Sequence, residues 1–557
     1  MLTDPFLQLP TENSVRVVWF TEFLGEEHRV IYGENLEKTA IATTTKLSRM
    51  REDADSKIRD NSLSSIPIHR DIWRQEAIVT GLTPNRRVRY QVISRNQGEE
   101  IHSKTFTLAP KPTEEKPLKI LLTSDHQLMP MVATNLQKVQ ETMGVIDAVF
   151  FAGDLVNVAD RASEWFDDIR GNAFFPCLQG RANYELEING KKTTYRGGEI
   201  IQHAPLFTAI GNHEVMGRTS ETKSLKEQMA DSYPRRIADS LYRQSIEIIN
   251  TSREPRIAES WIKANSFNTD SYDEIFTLPE SHSGGKKYYA VTFGSIRLIV
   301  LYVANMWRSP LIAPEVKGKY QENLSDLEKP ENWGYGQHIF EPISKGSPQY
   351  NWLEQELESG DFGRAKYKIV MLHHPVHTLG GNIVPPFADP QPRIERDNGG
   401  NIQGVYYDYP PENDYIVNDL MPLLETKKID LVLYGHSHLW NRFVDSRGIN
   451  FLESSNVGNS YGAHLGENPR SVPPHNPLKY AVIGDPNGLQ PIVPNVAPCR
   501  DERGHPLPYI ASNETTVFTI LDTGEGTVTS YSFDTRRTDS EVIVFDRFVI
   551  GNSKSYN

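Results

Sequence analysis

Hydrophobic positions along this chain change their spacing near residue 110. From residue 14 to residue 108 they fall in short alternating runs, at 15–20, 28–32 and 87–93, divided by Gly, Pro and Asn. Period-two runs punctuated in this way are the pattern of strands with one buried and one solvated face, so a small β-sandwich is expected. Leu82-Thr83-Pro84-Asn85 supplies a corner turn ahead of Tyr90. Residues 109–117 are polar and carry Pro110, Pro112 and Pro117, the composition of a semi-rigid linker.

Beyond the linker, continuous apolar runs alternate with segments of helical period, which predicts α/β layers. Strands are expected at 118–123, 148–151, 205–210, 367–372 and 431–434. Helices are expected at 131–143, stopped by Gly144, and at 349–359. A hairpin is expected at 287–293 and 296–302, turning on Gly294-Ser295, and returning strands at 516–521, 528–533 and 541–549. The expected organisation is a fibronectin-like β-sandwich over 1–110, a linker over 111–117, and a two-sheet α/β catalytic part flanked by helices over 118–557. Stretches 214–285, 304–347 and 379–414 are too long for simple connections and are expected to wall a pocket.

At 557 residues the chain exceeds the size at which one core stops growing. A composition of 38% apolar and 24% charged residues reads as globular and soluble rather than disordered. The net charge of −13 disfavours polyanions and anionic membrane surfaces, so no nucleic-acid or membrane partner is expected. With Cys177 and Cys499 the only cysteines, a disulfide framework is excluded, although one long-range bridge stays open. Residues 1–13 lack a basic-then-apolar export signal, and no run approaches 18 apolar residues, so a cytoplasmic chain is expected.

The chemistry lies in five short blocks, each following an apolar run. They are Ser124-Asp125-His126-Gln127, Gly153-Asp154-Leu155-Val156-Asn157, Gly211-Asn212-His213-Glu214, His373-His374-Pro375 and Gly435-His436-Ser437-His438. Ligand crevices in open α/β sheets lie at the carboxyl ends of strands, so the blocks can converge. Two cations about 3.5–4 Å apart need a shared anionic oxygen and separate donors on each side. Asp154 is the candidate bridge, with Asp125 and His438 beside one ion and Asn212, His373 and His436 beside the other. His126, His282 and His475 are assigned no such role.

This series resembles the calcineurin-like metallophosphoesterase superfamily over residues 118–442. The first segment, with Val17-Val18-Trp19-Phe20-Thr21, Tyr32-Gly33 and Leu82-Thr83-Pro84-Asn85, resembles the N-terminal domain of purple acid phosphatases, as 435–442 resembles their last block. By that resemblance His373, two before Pro375, is the ligand rather than His374, two divalent ions (Mn, Mg, Fe, Zn or Ca) are the cofactor, and a small phosphate ester is the substrate. The resemblance also implies hydroxide attack on phosphorus, with His213 assisting the leaving group. Glu214 is a candidate to orient His213, and His377 and Arg442 are secondary candidates for substrate contact by their nearness to the last two blocks.

Two positions depart from the family pattern. Gln127 stands where a histidine is usual, and Asn157 where purple acid phosphatases place a tyrosine. Each either offers a carbonyl oxygen to an ion or holds a ligand from outside; the first option suits Mn²⁺ or Mg²⁺ better than a ferric–tyrosinate pair. A colourless enzyme with a weaker ion beside Asp125 is expected. The leading expectation is a metal-dependent phosphate ester hydrolase, monoester or diester left open. The alternative is a non-catalytic scaffold with a degenerate metal site.

Overall fold

The computed structural model describes residues 1–551 apart from 60–65, 189, 232, 307, 382, 474–476 and 538; His475 lies outside the described residues. Two sheets form the N-terminal sandwich. One runs Phe6–Gln8, Val15–Thr21, Trp73–Val79, Thr43–Lys46, and the other Glu99–His102, Val88–Asn96, Glu27–Gly33, Lys38–Ile41, with Phe106–Leu108 also paired to Val88–Asn96. Val17, Trp19, Val30, Tyr90 and Phe106 fill the space between them. Trp19 satisfies its buried indole by donating to Ser94 Oγ at 3.0 Å. Val18 and Phe20, on the opposite face of the same strand, are also buried, because they pack into the larger core with Leu47, Met50, Phe166 and Phe175. That face is covered rather than solvated.

The larger core lies between two sheets. The first runs Leu206–Thr208, Ala148–Phe151, Lys119–Thr123, Thr515–Asp522, Thr527–Asp534, Ile543–Val549, with its first three strands parallel. The second runs Tyr289–Phe293, Ile296–Val300, Tyr367–Met371, Leu431–Tyr434, Asn450–Ser454, Trp440–Val444, Tyr509–Ile510, with a parallel centre. Parallel strands covered on both faces read as near-continuous apolar runs, which is why these were legible. Trp440 Nε1 reaches across to Ser530 Oγ at 3.0 Å, and Phe207 meets Phe293 edge-on at 5.7 Å. The helix Val132–Met143 ends at Gly144, whose φ of +68° suits glycine, and Pro348–Glu356 is capped by Ser347.

Stretch 214–285 is largely helical, with Leu225–Ala230, Arg235–Gln244, Ile246–Ile249, Pro255–Ala264 and Asp270–Ile275. Stretch 379–414 folds a hairpin, Gln391–Arg396 with Ile402–Asp408, that packs on stretch 304–347. Tyr320, Trp333, Val405, Tyr407 and Tyr409 form that contact, and Tyr407 N donates to Tyr320 O at 2.9 Å. Cys177 and Cys499 are free thiols, so the bridge left open by the sequence does not form. Among the described residues no helix is long and apolar enough to cross a membrane.

Candidate metal centre

Five parallel or adjacent strand ends bring the five blocks to one place. Asp125 N donates to Gly153 O at 3.0 Å, Gln127 N to Leu155 O at 3.1 Å, and Gly435 N to His373 O at 3.1 Å, so the turns are stitched to one another. Five of the turn residues hold a left-handed backbone without being glycine: Asp125 at φ +56°, Gln127 at +42°, Asp154 at +57°, His436 at +82° and His438 at +56°. Each such residue costs on the order of 1–3 kcal/mol and persists only where its surroundings dictate it. Gly211 and Gly435 are required by close approach, since a β-carbon there would strike the carboxylates of Asp154 and Asp125.

The side chains converge as the sequence implies. Asp125, Asp154 and His373 offer ligand atoms within 4.8 Å of one another. His373 Nε2 lies 3.2 Å from Asp154 Oδ2 and 3.1 Å from Asn212 Oδ1. His438 Nε2 lies 3.4 Å from Asp125 Oδ1. Asp125 also accepts from the backbone N–H of His436 at 2.9 Å, and the imidazoles of His373 and His436 meet edge-on at 5.1 Å. All six expected ligands, and Gln127, are buried.

The tautomers suit metal ligation. His373 Nδ1 donates to Ala152 O at 2.8 Å and His438 Nδ1 to Asn459 O at 2.7 Å. A carbonyl only accepts, so Nδ1 carries the hydrogen and Nε2 faces the carboxylates, the arrangement that fixes ligand histidines elsewhere. His213 follows the same rule, donating Nδ1–H to Asn157 O at 2.7 Å with Nε2 turned to within 4.0 Å of Asp154 Oδ2. Burial alone would raise the Asp154 carboxyl, but the charges of His373 and His213 hold it well below the usual carboxylate range. Burial likewise pulls His373 down, yet the Asp154 charge outweighs it and pushes the imidazole up to about 10.

Three buried carboxylates hold the turns from behind. Glu214 accepts from the N–H groups of Gly211, Asp154 and Leu155 at 2.8–2.9 Å. Glu164 accepts from Asn157 and Val158, and Glu453 from Ser437 N at 2.7 Å and Thr378 Oγ1 at 2.8 Å. Burial, reinforced for Glu214 by the Asp154 charge, pushes both Glu214 and Glu453 up to about 8. Glu214 therefore does not orient His213; the Asn157 carbonyl does. Glu164 and Glu453 escaped the sequence reading, since their surroundings in sequence are mixed polar and apolar.

A cavity of about 470 Å³ opens over this floor, a size suited to a small ligand. Asp154, Asn212, His213, His436 and His438 line its base, and Met129, Val215, Met229, Met306 and Phe340 its walls. Asp55 and Lys57, from the N-terminal part, and Asn459 and Tyr461 also line it, as do the charged Arg161, Glu164, Asp168, Arg170 and Lys226, none of them singled out in the sequence. Stretches 214–285 and 304–347 wall the cavity as expected. Among the described residues none of 379–414 does, because that stretch is spent on the hairpin contact. A larger groove of about 930 Å³ beside the linker holds no residue of the five blocks.

His377 and Arg442 do not line the cavity. Both are buried and already paired, His377 Nδ1 with Asp485 Oδ2 at 2.7 Å and Arg442 Nε with Asp546 Oδ2 at 2.8 Å. Nearness in sequence misplaced them. Gln127 Nε2 donates to Asp154 Oδ2 at 2.8 Å, and Asn157 Nδ2 donates to Gln127 O at 2.7 Å. Both amides thus hold neighbours of the centre in place. His126 packs edge-on against Phe151 and bonds Thr123, and His282 is exposed.

Comparison with known proteins agrees with this geometry. Residues 118–439 match the family model described as calcineurin-like phosphoesterase. The chain belongs to the calcineurin-like phosphoesterase family, a family of metal-dependent phosphoester hydrolases. Spindle defective protein 3 of Caenorhabditis elegans is 28% identical over 191 residues, 33% of this chain and 38% of that protein's length. A purple acid phosphatase, PPD1, from yellow lupin (Lupinus luteus) seeds has a similar fold, with a TM-score of 0.53 at 15% identity over 98% of this chain and 73% of that one. The architecture, an N-terminal β-sandwich followed by metallophosphoesterase layers, is purple-acid-phosphatase-like.

Proposed function

We propose that this protein hydrolyses small phosphate esters at a pair of divalent ions. Asp125, Asp154 and His438 would hold one ion, and Asp154, Asn212, His373 and His436 the other. The observation that carries the reading is the set of imidazoles whose Nδ1–H is tied to a backbone carbonyl while Nε2 faces a buried carboxylate. Such a donor set fits borderline divalent ions such as Zn²⁺, Mn²⁺ or Fe²⁺. Bound there, the ions would polarise the phosphoryl group and lower the pKa of water.

His213 stands at the cavity floor with Nε2 free to carry a proton to the leaving oxygen, its ring held by the Asn157 carbonyl. Gln127 and Asn157 act as positioning residues. The cavity lining is mixed, with Met129, Val215, Met229, Met306 and Phe340 beside the charged Lys57, Arg161, Arg170 and Lys226. The reading divides the chain into a sandwich over 1–110, a linker over 111–117 and a catalytic part over 118–557, with the sandwich supplying one wall. Two unpaired thiols suit a cytoplasmic setting, and the net charge suits a small ester over a nucleic acid.

The test is hydrolysis of paired chromogenic phosphate monoesters and diesters by metal-stripped protein resupplied separately with Mn²⁺, Mg²⁺, Zn²⁺, Fe²⁺ and Ca²⁺. Turnover restored by an ion supports the reading and names the ester class. No turnover with any ion favours the scaffold.

A further inference from the structure

The strand Arg51–Glu52 belongs to neither sheet of the sandwich; it pairs with Ile68–His69 and lies along residues 160–164. Arg51 N donates to Asp160 O at 2.9 Å, and Ser163 Oγ to Glu52 Oε2 at 2.9 Å. The next residue, Asp53, accepts from Arg161 Nη2 at 3.1 Å and from the N–H of Leu225 at 2.7 Å. The other arm of the same guanidinium, Arg161 Nη1, donates to Glu164 Oε1 at 2.8 Å. Glu164 Oε2 in turn accepts from the N–H groups of Asn157 and Val158 at 2.7 and 2.9 Å. Asp53, Arg161 and Glu164 are all buried. The Val158 N–H and the Asn157 carbonyl belong to one planar peptide unit, so holding the first sets the direction of the second. That carbonyl is the acceptor of His213 Nδ1–H.

Resting on the reading that His213 passes a proton to the leaving oxygen, we propose that Asp53 is a positioning residue for His213. It acts through Arg161, Glu164 and the Asn157–Val158 peptide, so the N-terminal part helps to aim the leaving-group histidine. Arg161 and Glu164 line the cavity, whereas Asp53 does not, and its effect reaches the site only along these bonds. Support of the fold alone does not call for such a set, because apolar residues of the same volume stabilise a buried position as well as an ion pair does. A planar guanidinium bonded at both ends carries a direction from one carboxylate to the other. Without the Asp53 charge the guanidinium turns, the Glu164 carboxylate follows, and the carbonyl that holds the His213 ring loses its fixed aim.

The experiment compares full-length wild type, Asp53→Asn and Arg161→Lys, the last keeping a charge that cannot bond both carboxylates in one plane. Ion-loaded protein is assayed on two phosphate esters, one with an alkoxide and one with an acidic phenol leaving group. Metal-stripped protein with isotope-labelled histidine reports the His213 Nδ1–H resonance, assigned by its loss in His213→Ala. In Asp53→Asn, kcat for the alkyl ester is expected to fall about tenfold or more, with a several-fold smaller loss for the phenyl ester and unchanged metal content. Adding Asp53→Asn to His213→Ala is expected to cost about twofold or less, since the two act as a unit. The resonance is expected to shift or broaden in both variants. Equal losses for the two esters, or a fully additive loss in the double variant, overturn the proposal. An unchanged resonance in a folded variant overturns it as well, and so does loss of folding in both variants. A wild type that hydrolyses neither ester sinks the hydrolytic reading by itself, while the resonance still decides whether Asp53 holds His213.

Discussion

Gln127 donates its side-chain amide to Asp154 Oδ2 across 2.8 Å. Asn157 in turn donates to the Gln127 carbonyl, and the Asn157 carbonyl receives His213 Nδ1–H. Gln127 and Asn157 are thus bonded to each other and join the Asp154 carboxylate to the His213 imidazole.

Restoring a donor should strengthen the weaker side. Gln127→His is expected to tighten the ion beside Asp125 by about tenfold, read as the second step of a calorimetric titration of metal-stripped protein. Two equally tight ions in the wild type would contradict the asymmetry from which this follows.

Metal uptake should release protons. In the ion-free protein His373 is held up to about 10 by the Asp154 charge, against the pull of burial, so it is protonated at neutral pH. An ion must displace that proton, and affinity should fall about tenfold per pH unit as pH drops below the His373 value. Calorimetry in two buffers of different ionisation enthalpy measures it; uptake near pH 7 without proton release counts against the His373–ion contact.

His213→Ala is expected to lower kcat by about 10²–10⁴-fold with metal content unchanged. The loss should be steep for esters with a poor alkoxide leaving group and shallow for those with an acidic phenol. An equal loss for both would assign His213 to binding or support instead.

Iron-loaded protein should show no strong visible absorption band. Asn157 bonds to Gln127 where a tyrosinate would sit, and the cavity phenol, Tyr461, lies flat over His438 at 5.0 Å with its hydroxyl accepting from Asn459. A visible charge-transfer band would show that a tyrosinate reaches the iron.

The parts that were legible share a physical cause. Strands such as Ala148–Phe151 and Leu431–Tyr434 are buried on both faces, so their apolar runs announce them, and the motif residues follow directly. The helix Arg235–Gln244 was missed because it is polar and buries little, only Ala238 and Tyr242. Glu453 and Glu164 were invisible because they accept from backbone N–H groups of the turns, a relation that exists only once the turns have met. Glu214 was misread for the opposite reason. Its sequence neighbour His213 faces the cavity, while its own carboxylate turns back to the Asp154 loop. Tyr461 comes from a loop with no regular pattern to place it.

The central claim is a two-ion centre bridged by Asp154, and elemental analysis of purified protein beside Asp154→Asn tests it most directly. Two ions per chain in the wild type, with the variant losing at least one of them and all phosphoesterase turnover, is the expected result. One tightly held ion in both proteins, without turnover in either, would contradict the account and leave a scaffold with a structural metal.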